Sequence, residues 1–338
     1  MRGLTELRVI EFGLVPALRS QTLWHAIAYG VSEGQPATLS FMQPRRPYVS
    51  IGFHRHIDEV DREWCTEHAL PVFRRMVGGG PVYLDDAQLF FQLTLPVSMV
   101  PALRAQAVRT MLAPAVDAFR AVGVDARLDR DSEVVVGDRK ICGHGAGQIG
   151  DAVIVVGNVI TSFDHRSASR VLAAPDRDAH SELERMMQMY VLPTPIPLDT
   201  FSEAAVNAYS HAFDAAAFEG ALSRMERDHL ARLDALFTTE EWVSDSPPRR
   251  PTPWTVKIKS AVWVASETDA STRVTISAVG DHIVRARVDD DRLNGHAERI
   301  AEGLVGSPVR SLRARARNLG APENMYDVLE RLEGTGAR

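Results

Sequence analysis

Residues 74–80 read Arg-Arg-Met-Val-Gly-Gly-Gly, and further along the chain Gly137 to Gly143 read Gly-Asp-Arg-Lys-Ile-Cys-Gly. These two segments hold the residue types best suited to chemistry. Three consecutive glycines between apolar runs cost backbone entropy, so some structural need must offset that cost. One such need is a main chain that passes close to a ligand and turns several N–H groups toward an anion. Arg74 and Arg75 are suited to bidentate contact with phosphate or carboxylate. Lys140 adds a mobile positive charge. Together they predict a pocket for an organic acid and a nucleotide phosphate.

Such a pocket needs rigid elements beneath it. Leu4–Phe12, Ala37–Phe41 and Tyr48–Ile51 read as strands, and Leu18–Val31 has its apolar residues at helical spacing. Asp58–Ala69 reads as a short helix. Strands at Val72–Met76, Val82–Leu84 and Leu89–Leu95 surround the glycine run. Ala102–Val122 is an amphipathic helix, with Gly123 placed to end it. Glu133–Val136 and Arg139–Cys142 flank Gly137-Asp138, a pair that suits a type II′ turn. Lys140 is therefore expected on a strand just past a tight turn. Thr200-Phe201-Ser202-Glu203 reads as a capping box opening a helix through about Phe218, and another helix covers Ala221–Phe237.

Ser244 to Pro253 contains four prolines and predicts a linker. Strands at Trp254–Val264, Arg273–Val279 and His282–Val288 follow it, then helices at His296–Leu304, Ser311–Leu319 and Glu323–Leu332. The order is α+β, with a second, smaller α+β domain after the linker. The divisions expected are 1–243, a linker over 244–253, and 254–338.

The 338 residues carry a net charge of −6, which disfavours nucleic acid as a partner. No apolar run is long enough for a membrane span, and Met1 to Glu11 lacks the features of a signal peptide. Two cysteines, Cys65 and Cys142, exclude a disulfide framework, so the reading is a reduced, cytoplasmic protein. His54 and His56, with Asp58, alternate but lack a third ligand, and read as loop or strand surface. Arg310, Arg313, Arg315 and Arg317 read as a solvated helix face.

Arg-Arg-Met-Val-Gly-Gly-Gly-Pro-Val-Tyr-Leu-Asp resembles the motif Arg-Arg-x-Ser-Gly-Gly-Gly-x-Val-x-His-Asp of the lipoate–protein ligase A family, within the biotin/lipoate ligase superfamily. Gly-Asp-Arg-Lys-Ile-Cys-Gly resembles its second motif, Gly-x-Lys-Ile-x-Gly. The resemblance runs from about Leu7 to Phe163 and, more weakly, over the C-terminal segment. It implies a mixed β-sheet flanked by helices, with a smaller accessory domain. It also implies a two-step reaction: lipoate or octanoate and ATP, usually with Mg2+, give an acyl-adenylate, and the acyl group then passes to a lysine of an acceptor. The implied acceptors are a 2-oxoacid dehydrogenase lipoyl domain, the glycine cleavage H protein or a lipoate-binding protein.

By that resemblance Lys140 contacts the acid carboxylate and the adenylate phosphate. Arg75 and the amides of Gly78, Gly79 and Gly80 hold phosphate and carbonyl oxygens. Asp85 stands where the family has its aspartate, and Gln88 where many members have a nucleotide-holding asparagine. Val77 and Tyr83, with Trp24, are candidates to line the acyl tunnel. Gly143 and His144 complete the ligand contacts, and Asp131 is the metal candidate. Val77 and Leu84 depart from the family's serine and histidine, and Arg130-Asp131-Ser132 stands for its Arg-Asn-Asp triplet. These departures mark a divergent member. They leave two alternatives open: a transferase using a carrier-bound acyl donor with Cys142 as nucleophile, and a degenerate protein that binds lipoate or lipoyl domains without turnover. Cys142 is otherwise read as a small buried residue.

Overall fold

A computed structural model describes residues 4–246, 253–293 and 295–335. The chain opens with β1 (Glu6–Val15), α1 (Ala17–Ser32), β2 (Thr38–Pro44) and β3 (Tyr48–Ile51). Then come α2 (Arg62–Glu67), β4 (Val72–Arg74), β5 (Val82–Leu84), β6 (Gln88–Pro96) and α3 (Arg104–Ala121). Short strands β7 (Arg127–Leu128), β8 (Val134–Val136), β9 (Arg139–Cys142) and β10 (His144–Ile149) precede the longer β11 (Ala152–Ile160). Next are α4 (His165–Arg170), α5 (Arg177–Tyr190), α6 (Leu198–Phe213), β12 (Ala216–Glu219), α7 (Arg224–Phe237) and α8 (Glu240–Ser244). The C-terminal part contains β13 (Trp254–Lys259), β14 (Val262–Thr268), β15 (Arg273–Val279), β16 (His282–Asp289), α9 (His296–Leu304), α10 (Leu312–Asn318) and α11 (Asn324–Glu333).

Two compact units result: Met1–Leu172 with Val191–Pro248, and Ala173–Tyr190 with Arg249–Arg338. The first is built on a mixed six-stranded sheet ordered β10-β11-β6-β2-β1-β12. The pairs of β1 with β2 and with β12 are parallel, and those around β6 and β11 are antiparallel. Successive residues of a strand face opposite ways, so Phe90 and Phe91 of β6 enter different cores. Phe91 joins Leu39, Phe119 and Phe201 beneath α3 and α6, while Phe90 joins Trp24, Met42 and Phe237 beneath α1 and α7. Helices on both faces explain why β6 is buried on both sides along nearly its whole length. Two small sheets, β4-β3-β5 and β7-β8-β9, carry the motif segments.

The second unit is an antiparallel sheet, β13-β14-β15-β16, whose core is filled from α9, α10 and α11. It also takes α5, which arrives from the middle of the chain. Helix α5 buries Ala179, Leu183 and Met186, and its polar side adds to the attachment: Asp176 and Asp178 pair with Arg273 and Arg287, and Glu182 accepts a hydrogen bond from Ser277. A single break at the prolines therefore misses Ala173–Tyr190, which lies far from its own unit in sequence. Within the expected linker, residues 247–252 lie outside the described residues, and α8 already occupies Ser244.

Three local readings change. The helix expected from Thr200 begins at Leu198, directly after Pro197, and Thr200 does not cap it. It ends at Phe213 with Asp214 in the left-handed region (φ +51°), and Ala216–Glu219 forms edge strand β12 instead of a helical tail. Trp254–Val264 is the greater part of a hairpin, turned at Ala261 (φ +60°). The capping box belongs to α7, where Ser223 and Glu226 close it reciprocally. Glu226 is fully buried and pairs with buried Arg8 of β1. No helix among the described residues is long and apolar enough to cross a membrane.

Candidate functional site

The glycine loop leaves the small sheet after β4. Phe53 N–H donates to Val77 O at 3.0 Å and Arg75 N–H to Ile51 O at 2.9 Å, so the loop is laid against the end of β3. Gly52 is required there: a Cβ on it would stand 2.0 Å from Gly79 O. Gly79 adopts φ +104°, and its own Cβ would meet Arg75 Nη2 at 2.5 Å.

Arg75 is buried and donates inward. Its Nε and Nη2 reach Gly78 O at 3.1 and 2.9 Å, Nη2 reaches Gly80 O at 2.9 Å, and Nη1 reaches Ser50 O at 2.7 Å. Burial pulls this guanidinium down to about 10. Among the described residues nothing accepts a hydrogen bond from the amides of Gly78, Gly79 or Gly80. Carbonyls tied back and amides left over make an anion-receiving turn. Arg74, fully buried, donates to the carbonyls of Gly52, Phe53, Arg55, Trp242 and Val243. Neither arginine thus offers the bidentate phosphate contact expected of it. Both shape the loop that would make the contact.

Helix α1 holds this assembly from below. Gln21 Nε2 and Ser20 Oγ donate to Tyr48 Oη at 2.6 and 2.9 Å, and Ser50 Oγ donates to Gln21 Oε1 at 3.1 Å. Burial pushes the Tyr48 phenol far above its ordinary value, which keeps it neutral. His25 Nδ1 lies 2.6 Å from Gln21 O, and Met76 N–H donates to its Nε2 at 3.0 Å. Together these fix the tautomer with the proton on Nδ1. Burial lowers the His25 imidazole to about 3.

Lys140 lies on β9 just past Gly137 (φ +56°), as the turn pair predicts. Its carbonyl accepts from Leu192 N–H at 2.7 Å. Its ammonium lies 2.9 Å from Glu133 Oε2, a buried carboxylate, and His144 Nδ1 is 3.9 Å from the same oxygen. Asp129 builds the preceding turn, accepting at Oδ1 from the amides of Asp131 and Glu133, both at 2.9 Å. Asp131 itself is exposed, and the described residues contain no group of three His, Cys, Asp or Glu that could hold a metal. The metal expectation at Asp131 is not met by a protein donor set. Magnesium carried by nucleotide phosphates needs only one or two protein carboxylates, and Glu133 is the buried carboxylate beside Lys140.

A buried polar chain ties the two motifs together. Asn158 Oδ1 accepts from Gly143 N–H at 2.5 Å, Asn158 Nδ2 donates to Gln88 Oε1 at 2.6 Å, and Gln88 Nε2 donates to Asp85 Oδ1 at 3.1 Å. Burial raises the Asp85 carboxyl, opposed by the hydrogen bond from Gln88. Gln88, with both ends occupied, supports the strands and is not a free nucleotide contact. Tyr83 is mostly buried on β5, and desolvation raises its phenol. Val77 is buried against β10, where a Cβ on Gly147 would come within 2.5 Å of its Cγ1. Cys142 is fully buried, and burial pushes its thiol up to about 12; that of Cys65 is pushed up to about 11. The structure thus brings Lys140, Gly143, His144, Val77, Asp85 and Gln88 onto one connected framework and leaves Asp131 outside it. Sequence reasoning missed Glu133, Asn158, Gln21 and His25. Glu133 was reachable, because an antiparallel β8–β9 pair folds residue 133 back along the far end of β9.

A family model for the lipoyl protein ligase A/B catalytic domain matches residues 18–210, more than half of the chain. Lipoate-protein ligase A subunit 1 of Thermoplasma acidophilum is 25% identical over 234 residues, 64% of this chain and 88% of the relative. Octanoyltransferase LipM of Kyrpidia tusciae is 23% identical over 267 residues, 70% of this chain and 97% of the relative. Among solved structures, a bi-partite lipoate protein ligase from Thermoplasma acidophilum, described with its E2 lipoyl domain, superposes with a TM-score of 0.66 at 22% identity, covering 73% of this chain and all of that one. A lipoate-protein ligase A bound with ATP gives 0.60 at 22% identity, over 71% and 98% of the two chains. With the mixed sheet, the glycine loop and the Lys140 hairpin in that order, the chain belongs to the lipoyl protein ligase A/B catalytic domain family.

Proposed function

We propose that this protein is an ATP-dependent ligase that activates lipoate, or octanoate, and transfers it to a lysine of a lipoyl-type acceptor domain. The observation carrying the reading is the pairing of unclaimed loop amides with a lysine cation on one framework, while neither thiol is poised as a nucleophile. The ATP-bound relative supports nucleotide use, and the relative described with an E2 lipoyl domain supports the acceptor class.

In the first step a carboxylate oxygen of the acid attacks the α-phosphorus of ATP, the bond to pyrophosphate breaks, and pyrophosphate leaves. The amides of Gly78 to Gly80 and the ammonium of Lys140 stabilise the charge developing on phosphate and carbonyl oxygens. Glu133 pairs with the Lys140 ammonium and keeps it in place beside the ligand. Magnesium accompanying the nucleotide would neutralise phosphate charge, and Glu133, beside Lys140, would be the carboxylate to hold it. In the second step the acceptor amine attacks the acyl carbonyl, AMP leaves, and a proton is lost as the amide forms. The apolar residues Val77, Trp24 and Tyr83 suit the acyl chain.

Similarity to octanoyltransferase LipM favours a second reading, transfer from a carrier-bound acyl donor. Fully buried Cys142 opposes it, since thiolate is the attacking species. The test is pyrophosphate release with ATP and magnesium, offering lipoate, octanoate and biotin separately, with Lys140→Ala as control. Lipoate-dependent release abolished by Lys140→Ala is expected. Silence with all three acids, followed by acylation of an acceptor from octanoyl carrier without ATP, would replace the ligase with the transferase. Tight lipoate binding with neither reaction would leave a binding protein.

A further inference from the structure

The glycine loop has a cation near it that neither motif contains. Arg104 begins α3, and its Nη2 lies 3.9 Å from the point a Cβ on Gly78 would occupy. Its backbone is anchored, because Ala107, Met111 and Leu112 of the same helix are buried in the core. Its side chain is exposed, and among the described residues no group accepts a hydrogen bond from it and no carboxylate pairs with it. The first turn of α3 contains no acidic residue to claim it. The other cations here are engaged: Arg74 and Arg75 by backbone carbonyls, Lys140 by Glu133. A free guanidinium beside unclaimed amides is complementary to a phosphate group with several open oxygens.

We propose that Arg104 is a phosphate-binding residue of the glycine-loop site, gripping the polyphosphate of the nucleotide and the pyrophosphate that departs. This rests on the ligase reading above. It divides the labour at the site: the buried arginines build the loop, and Arg104, still solvated, supplies the guanidinium contact they cannot make. The contact belongs to adenylation, because the acyl-adenylate passed to the acceptor has already lost pyrophosphate.

The test uses the full chain with Arg104→Ala and Arg104→Lys. Binding of inorganic pyrophosphate is measured by calorimetry, alongside the KM for ATP in acid-dependent pyrophosphate release. Arg104→Ala should weaken pyrophosphate and raise the KM for ATP by roughly ten- to a hundred-fold, the range for a charge-assisted hydrogen bond. Arg104→Lys should recover part of both, and transfer from supplied lipoyl-adenylate should suffer far less. Unchanged pyrophosphate binding and ATP KM in Arg104→Ala overturn the proposal. If the wild-type chain binds pyrophosphate but no acid elicits its release from ATP, the ligase reading fails and the calorimetric comparison still decides on Arg104. A wild-type chain that binds no pyrophosphate overturns the grip assigned to Arg104, while acid-dependent release from ATP still decides on the ligase reading.

Discussion

The glycine loop and the Lys140 hairpin are both motif segments, yet they are built on opposite principles. In the loop the charged side chains face inward, and the backbone amides are what remains for a ligand. In the hairpin the backbone is pinned, by Leu192 at Lys140 O and Asn158 at Gly143 N, and a side chain is presented. The first is a rigid template and the second a positioned charge. Substitution should therefore act on the loop through folding and on the hairpin through chemistry.

The largest expected departure from that contrast is Arg75→Ala. It strands carbonyls of Ser50, Gly78 and Gly80, which should cost on the order of 3 kcal/mol of stability in denaturant unfolding. Acid-dependent pyrophosphate release should fall with it, and Arg75→Lys should rescue neither, because an ammonium cannot span three carbonyls as a planar fork does. Lys140→Ala should lose at least as much activity, with a stability cost confined to removal of the ammonium facing buried Glu133. An Arg75→Ala protein of native stability and normal loop function would collapse the distinction.

Acid should reach the loop through His25. His25 is lowered to about 3 in the fold, against an ordinary value of 6.5, so the unfolded chain takes up a proton first as pH falls. Stability is complete above about pH 6.5 and is lost at about 1.4 kcal/mol per pH unit down toward pH 3. His25→Gln, which keeps an acceptor for the Met76 amide, should flatten this slope in melting curves between pH 6.5 and 4. An unaltered slope would remove His25 from the account.

The smallest effect is expected at Cys142→Ala. Its thiol packs in the core beneath Lys140 and should cost about 1 kcal/mol of stability when truncated. Acyl transfer to an acceptor should stay within a small factor of wild type. Abolished transfer would turn the hairpin from a positioned cation into a nucleophile site.

Some of this was legible from residue order alone. Helix α1, strands β3, β5 and β9, and the II′ turn before Lys140 follow from apolar period and from a Gly-X pair between strands, which are local properties. The need for glycine after Met76-Val77 was legible too. The role of its neighbours was not: Arg74 and Arg75 look like ligand donors in a string and become structural only when β3 and α8 bring carbonyls to them.

The sequence by itself thus determined the two motifs, their order and the glycine positions, because backbone conformations that only glycine tolerates are written into residue identity. Tertiary structure alone decided which charges remain for a ligand. Glu133 meets Lys140 through a hairpin register, and Asn158 meets Gln88 and Gly143 across paired strands. Arg104 meets Gly78 because a helix start distant in the chain is packed beside the loop. Such pairings depend on which donors and acceptors burial has already satisfied, and no local pattern of residues records that.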